Sequence, residues 1–295
     1  MFAIALWDRS RKRLCLARDR AGEKPLYWGW AGQMLVFGSE LKALRAHPDC
    51  PTAICRDALA QYLTYAYVPA PRSIHPGIYK LEPGCILEIT GSPPTVPPRE
   101  PLRPVEHHGS VSIRRYWSLN ETLATGHEAL IANEAEVLEA VETTISKAVG
   151  RQMISDVPLG AFLSGGIDSS LIVALMQHQA SRQVKTFTVG FENASFDEAP
   201  YASAVARHLG TDHAEIIVTE REAQDVIPNL PDLYDEPFAD SSQIPTHLVC
   251  RAAREYVTVA LSGDAGDAQL FARRHTLQSG PRRHGGQLGN TCSIP

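Results

Sequence analysis

The sequence predicts an α/β protein: a doubly wound parallel sheet in its C-terminal half, preceded by a smaller α+β sheet domain. Three observations carry this. The apolar run Val157 to Leu163 leads into Ser164-Gly165-Gly166 and then the apolar-periodic segment Leu171 to Met176. That order reads as strand, tight glycine loop, helix. Lys185 to Phe191 and Ala214 to Val218 then read as strands separated by a helix over Ala199 to Leu209, with a further strand at Val257 to Leu261. Strands alternating with helices close into a parallel sheet through right-handed crossovers. Third, the apolar stretch Phe2 to Asp8, the polar turn Arg9 to Arg13 and the strand start Leu14-Cys15-Leu16-Ala17 read as a hairpin, a different architecture from the parallel half.

The remaining elements follow in order. Phe2 to Asp8 is uninterrupted and apolar, so it is expected to be a buried strand, and a chain opening inside one is expected to have lost what preceded it. Arg18 to Tyr27 is a charged loop returning to an aromatic strand. Leu35 to Glu40 is a strand followed by a short helix through Lys42 and Leu44, Asp57 to Leu63 an amphipathic helix, Tyr67 to Ile74 a proline-set loop, and Gly84 to Ile89 a strand. Residues 91–110 hold six prolines followed by His107 and His108. They read as an extended exposed excursion or linker with solvated histidines. Tyr116-Trp117 closes the first domain. From Asn133, Val137, Leu138, Val141, Ile145 and Val149 recur at helical spacing behind Glu134 and Glu136, the pattern of a covering helix.

Composition narrows the class. With 295 residues, about two domains fit. A net charge of -5 gives no basic footprint, which argues against a nucleic-acid partner. No apolar run approaches the ~20 residues of a membrane span, and no secretory leader is read, so a cytoplasmic protein is expected. Cys15, Cys50, Cys55, Cys85, Cys250 and Cys292 are scattered without a C-x-x-C pair, so reduced thiols are expected, with no cysteine metal site.

The chemistry concentrates at Leu163-Ser164-Gly165-Gly166-Ile167-Asp168-Ser169-Ser170. The N–H groups and dipole of a helix start attract anions, and the glycines admit a ligand close to the backbone. Ser164, Ser169 and Ser170 add hydroxyls, and Asp168 adds a carboxylate suited to a hard cation. No G-x-x-x-x-G-K-[ST] occurs, so this is not a Walker loop. A capped turn is the plain structural alternative. The string resembles the SGG-x-DS loop of the PP-loop ATP pyrophosphatases, which cleave ATP between the α and β phosphates.

Further stretches sharpen that resemblance. Ala17-Arg18-Asp19-Arg20-Ala21-Gly22-Glu23-Lys24-Pro25-Leu26-Tyr27 and Gly38-Ser39-Glu40-Leu41-Lys42-Ala43-Leu44 resemble the end of the class II glutaminase domain of glutamine-hydrolysing asparagine synthetases. Ser262-Gly263-Asp264-Ala265-Gly266-Asp267 resembles that family's second ATP-site loop, and Tyr234 to Ser242 also resembles it, as a pocket-shaping segment or simply an acidic helix start.

The resemblance implies an adenine nucleotide α-hydrolase-like PP-loop fold at 118–272, behind the partial sheet of an Ntn-type glutaminase domain at 1–117. It implies an ATP-dependent amide ligase forming β-aspartyl-AMP and pyrophosphate, then asparagine with glutamine-derived ammonia. ATP and Mg²⁺ are expected, with aspartate, glutamine or ammonia as small-molecule partners and a homodimer as the assembly. ATP and pyrophosphate would be bound by Leu163, Ser164, Gly165, Gly166, Asp168, Ser169, Val189, Ser262 and Gly263. Asp168, Asp264 and Asp267 would be catalytic, with Asp168 and Asp267 sharing the metal. Related amidotransferases act on other carboxylates, and a nucleotide-binding remnant without turnover is the further alternative.

The family's glutaminase nucleophile is an N-terminal cysteine. Here Phe2 follows Met1, and Cys15 falls within a strand, so no nucleophile is assigned. From Arg273 to Pro295 the resemblance stops, as expected of a frameshifted or disordered tail.

Overall fold

The computed structural model describes residues 1–191 and 198–263. The chain divides into two compact units. Among the described residues, Met1–Leu130 with Leu230–Ala239 forms unit 1, and 131–229 with 240–263 forms unit 2.

Unit 1 holds two antiparallel sheets. Strands β1 (Ala3–Asp8), β2 (Arg13–Arg18), β3 (Tyr27–Ala31) and β4 (Met34–Gly38) precede helices α1 (Leu41–Arg45) and α2 (Arg56–Tyr65). Then come β5 (Ile78–Lys80), β6 (Cys85–Thr90), β7 (His107–His108), β8 (Val111–Arg115) and α3 (Leu119–Glu128). The sheet orders are β1-β2-β6-β8-β7 and β4-β3-β5. The expected hairpin is present, with Ile4 opposite Ala17 and Trp7 opposite Leu14. One core gathers Leu16, Trp28, Leu81, Leu87 and Val111, all at most 1 % exposed. Each such side chain contributes about 1.5–3 kcal/mol through burial.

Strand β1 departs from expectation. It is the sheet's edge, and Ile4, Leu6 and Trp7 are 48 %, 61 % and 52 % exposed. An apolar run signals a buried strand only when packed layers cover both faces, and among the described residues β1 pairs with β2 alone and leaves these side chains uncovered. A six-residue apolar edge without an interior charge is a template for intermolecular pairing. Light scattering on the purified chain is expected to show concentration-dependent association that Leu6→Lys reduces; equal association of both proteins would remove this role from β1.

The proline-rich stretch is an excursion that closes back on its own unit. The Trp30 indole N–H donates to the Pro94 carbonyl at 2.7 Å, and the Tyr79 hydroxyl to that of Pro98 at 2.8 Å. His107 is exposed, whereas His108 meets Trp30 edge-on and bonds the Val96 carbonyl through Nε2 at 2.7 Å.

Unit 2 is the α/β half. Its elements are α4 (Glu134–Gln152), β9 (Leu159–Phe162), α5 (Ile167–Gln179), β10 (Lys185–Phe191), α6 (Ala199–Leu209), β11 (Asp212–Val218) and α7 (Glu220–Val226). A short α8 (Leu230–Leu233) belongs to unit 1, and the chain returns with α9 (Gln243–Ala253) and β12 (Val259–Leu261). The sheet order is β11-β10-β9-β12 and every pairing is parallel. Asn133 caps α4 as the sequence implies, accepting from the Ala135 and Glu136 N–H groups. Only the C-terminal part of α4 covers the core: Ile145 and Val149 join the cluster of Leu163, Val173 and Met176, while Leu138 stays 64 % exposed.

Candidate phosphate-loop site

The strand order locates the site. From β9 the chain moves outward to β10 and β11, then returns to the opposite side of β9 with β12. Such a reversal leaves a crevice at the carboxyl ends of β9 and β12, where open α/β sheets bind ligands. Register aligns the loops there. Phe187 pairs with Phe162 and Leu261 with Ala161, so Val189 and Ser164 lie two residues past one pair, and Gly263 and Leu163 two past the other.

The first loop is held by its own serines. Leu163 is buried and donates its N–H to the Phe187 carbonyl at 2.9 Å. The Ser164 and Ser169 hydroxyls lie 2.9 Å apart, Ser164 N–H donates to Ser169 Oγ at 3.2 Å, and Gly166 N–H donates to Ser164 Oγ at 3.3 Å. Gly165 sits at φ +79°, in the left-handed region, and a Cβ there would fall 2.8 Å from Ala202 N. Gly166 is the N-cap of α5, which carries no side-chain cap. Asp168 stands in the first turn and Ser169 is buried. The first N–H groups of a helix lack intrahelical partners, so an uncapped start is prepared for an anion.

The second loop meets the first backbone to backbone. A Cβ on Gly263 would lie 2.6 Å from Ser169 N and 2.8 Å from the Asp168 carbonyl carbon. Leu163, Ser164, Gly165, Gly166, Asp168, Ser169 and Gly263 are thereby brought together, with Val189 and Ser262 at the same sheet edge. Asp264 and Asp267, and the tail 273–295, lie outside the described residues.

Asp168 is the described member of the expected magnesium pair. Mg²⁺ commonly takes one or two carboxylates together with phosphate oxygens, and a carboxylate beside serine hydroxyls at an uncapped helix start fits that donor set. Among the described residues no group of three His, Cys, Asp or Glu is arranged to hold a metal alone.

Other groups fall away from this edge. His213 and Thr186, at the opposite ends of β11 and β10, are bonded at 2.9 Å, and burial depresses the His213 pKa against the pull of Glu215. In unit 1, Cys15 lies in β2 with its thiol 3.6 Å from Glu88 Oε1, and burial pushes its pKa up. A thiol so held makes little thiolate and is a poor nucleophile. Cys15, Cys50, Cys55 and Cys85 carry free thiols. No helix among the described residues is long and apolar enough to cross a membrane.

The helix-start reading of Tyr234 to Ser242 meets α9, whose N-cap residue is Ser242; the extent of that helix was not read, although Ile244 and Leu248 lie four residues apart and Pro245 fits a first helical turn.

Two family models match the chain: Glutamine amidotransferase domain over residues 1–95, and Asparagine synthase over residues 140–284. The second match contains both glycine loops. Over these residues the chain is similar to asparagine synthetases. It is 34% identical over 289 residues to "Putative asparagine synthetase [glutamine-hydrolyzing] 2" of Methanocaldococcus jannaschii, covering 96% of this chain and 51% of that protein. It is 33% identical over 271 residues to "Asparagine synthetase [glutamine-hydrolyzing] 1" of Bacillus subtilis, covering 92% and 39%. The chain thus spans about half the length of these relatives, or less. Among solved structures, an NH3-dependent NAD synthetase from Campylobacter jejuni aligns at 13% identity with a TM-score of 0.34, over 45% of this chain and 59% of that one.

Proposed function

We propose that unit 2 binds ATP and activates a carboxylate, in the manner of an asparagine synthetase. The observation that carries this reading is the backbone approach of Gly263 to Asp168 and Ser169, which joins two glycine loops into one anion cradle at the sheet's switch point. In the proposed reaction a β-carboxylate oxygen of aspartate attacks the α-phosphorus of ATP. The bond to the bridging oxygen breaks, giving β-aspartyl-AMP and pyrophosphate. Ammonia then adds to the acyl carbon, loses a proton and expels AMP to leave asparagine.

The chain's part is electrostatic. The α5 N–H groups with Ser164, Gly165, Gly166 and Ser169 would hold the pyrophosphate, whose charge grows as the bond breaks. Leu163, Val189, Ser262 and Gly263 would border the adenosine and the α-phosphate. Asp168, with Asp267, would hold Mg²⁺, which when bound neutralises phosphate charge. Asp264 would lie near the aspartyl substrate. Glutamine-derived ammonia is the proposed nitrogen source of the whole protein.

A thermal melt with and without Mg-ATP tests this. Ligand at a hundred times its Kd stabilises by about 2.7 kcal/mol, a shift of several degrees. The shift is expected in the native chain and not in Asp168→Ala, and pyrophosphate release is expected to depend on aspartate. A shift retained by Asp168→Ala, or release indifferent to aspartate, would overturn the reading.

A further inference from the structure

Within unit 2 the first glycine loop has a second neighbour besides Gly263. A Cβ on Gly165 would fall 2.7 Å from Tyr201 Cβ, 2.8 Å from Ala202 N and 2.9 Å from the Tyr201 carbonyl carbon. The first turn of α6 therefore stands against the turn that leads into α5. Gly165 permits both the left-handed backbone and this close approach.

The direction of the Tyr201 side chain follows from α6. Ala199, Ala202 and Ala206 are the helix's buried stripe. Val205 packs against the cluster that holds Val173 and Met176 of α5, and the two helices are in contact, so the flank carrying Val205 faces α5. Tyr201 stands one turn earlier on that flank, at the level where α5 begins. Helix side chains tilt toward the N-terminus of their own helix. The N-terminus of α6 lies at the loop, so the tilt carries the Tyr201 ring toward the sheet end that holds Ser164 and Gly166. Yet Tyr201 is 71% exposed, which leaves its hydroxyl open to a ligand.

The cradle has use for another donor. The Ser164 and Ser169 hydroxyls lie 2.9 Å apart and bond each other, so they are not wholly available to an anion. Hydrogen bonds to charged phosphate oxygens are the stronger kind, and a phenol supplies one O–H. We propose that Tyr201 is a further binding residue of the phosphate cradle, its hydroxyl donating to an oxygen of the departing pyrophosphate from the α6 side. The assignment deepens the proposed function and rests on its placing of pyrophosphate at the first loop.

Titrating the thermal melt of the full chain with Mg-ATP and with Mg-pyrophosphate tests it. Tyr201→Phe removes one oxygen from an exposed ring, so the ligand-free melting point is expected to stay at the native value. Its Kd for each ligand is expected to rise about tenfold, the effect of losing one hydrogen bond to a charged acceptor. Tyr201→Ala is expected to match Tyr201→Phe closely, because the hydroxyl and not the ring makes the contact. In aspartate-dependent AMP formation, Tyr201→Phe is expected to raise the KM for ATP about tenfold and to leave the KM for aspartate unchanged. Native affinity for both ligands in Tyr201→Phe, or a loss seen only in Tyr201→Ala, would overturn the assignment. An equal rise in both KM values would overturn it too, since that marks a general distortion of the site. A native chain that binds pyrophosphate but forms AMP without aspartate would sink the proposed carboxylate activation and leave the Tyr201 comparison standing. A native chain indifferent to both ligands would remove the two together.

Discussion

Gly263→Ala is expected to abolish most of the stabilisation by Mg-ATP and to lower the intrinsic stability of unit 2 by about 1–3 kcal/mol. The added methyl would stand 2.6 Å from Ser169 N and 2.9 Å from Ser169 Cα. Both are backbone atoms of a turn pinned by the Ser164–Ser169 hydroxyl contact, so no rotamer change relieves the overlap. The two loops must separate, and the anion cradle opens. Gly126→Ala provides the contrast: a Cβ there meets nothing within 4 Å and sits inside α3, so it is expected to gain up to about 1 kcal/mol and to leave the ATP response intact. Melting curves of both variants with and without Mg-ATP decide the matter. A full ATP response in Gly263→Ala would show that loop contact is not needed for binding.

The first loop was legible because its determinants are local. Apolar residues before Ser164, glycines at 165 and 166 and periodicity after Ile167 specify strand, turn and helix within about twenty residues, and β9, the loop and α5 form from them. What could not be read was long-range. Nothing adjacent to Gly263 in sequence shows that a Cβ there would fall against Asp168 and Ser169, about 95 residues earlier. Burial of β1 failed for the same reason, since residue type records hydrophobicity and not the number of neighbouring strands. The acidic pair at 235 and 236 read equally well as a helix start or a pocket wall. Only the positions of Lys80, Tyr27 and Leu41 commit it to unit 1. Sequence pattern thus locates the anion-binding turn, while pairing partners decide what surrounds it.

Asp19 is the other position where a single substitution is expected to cost most. It is 4 % exposed in the charged loop after β2. Oδ1 accepts from Gly22 and Glu23 N–H at 2.8 and 3.1 Å, Oδ2 from Lys24 and Phe2 N–H at 3.0 and 3.2 Å. Burial alone would raise its pKa, but these four donors outweigh it and hold the carboxyl below its ordinary value. Asp19→Ala orphans all four N–H groups and is expected to cost about 3–5 kcal/mol. Asp19→Asn is no rescue, because its NH₂ must face two of the donors; it is expected to lose about half as much. The sign with pH follows from the depressed value. The native carboxylate's contribution is fully present above the ordinary carboxylate pKa near 3.9 and is lost as pH falls through the lower folded value. All four tryptophans, at 7, 28, 30 and 117, lie in unit 1, so fluorescence-detected urea unfolding reads this unit directly. The native chain is expected to lose stability relative to Asp19→Ala as pH falls below about 4, narrowing the gap between them. A gap that stays constant down to pH 2 would mean that the carboxylate's charge has no part in holding the loop.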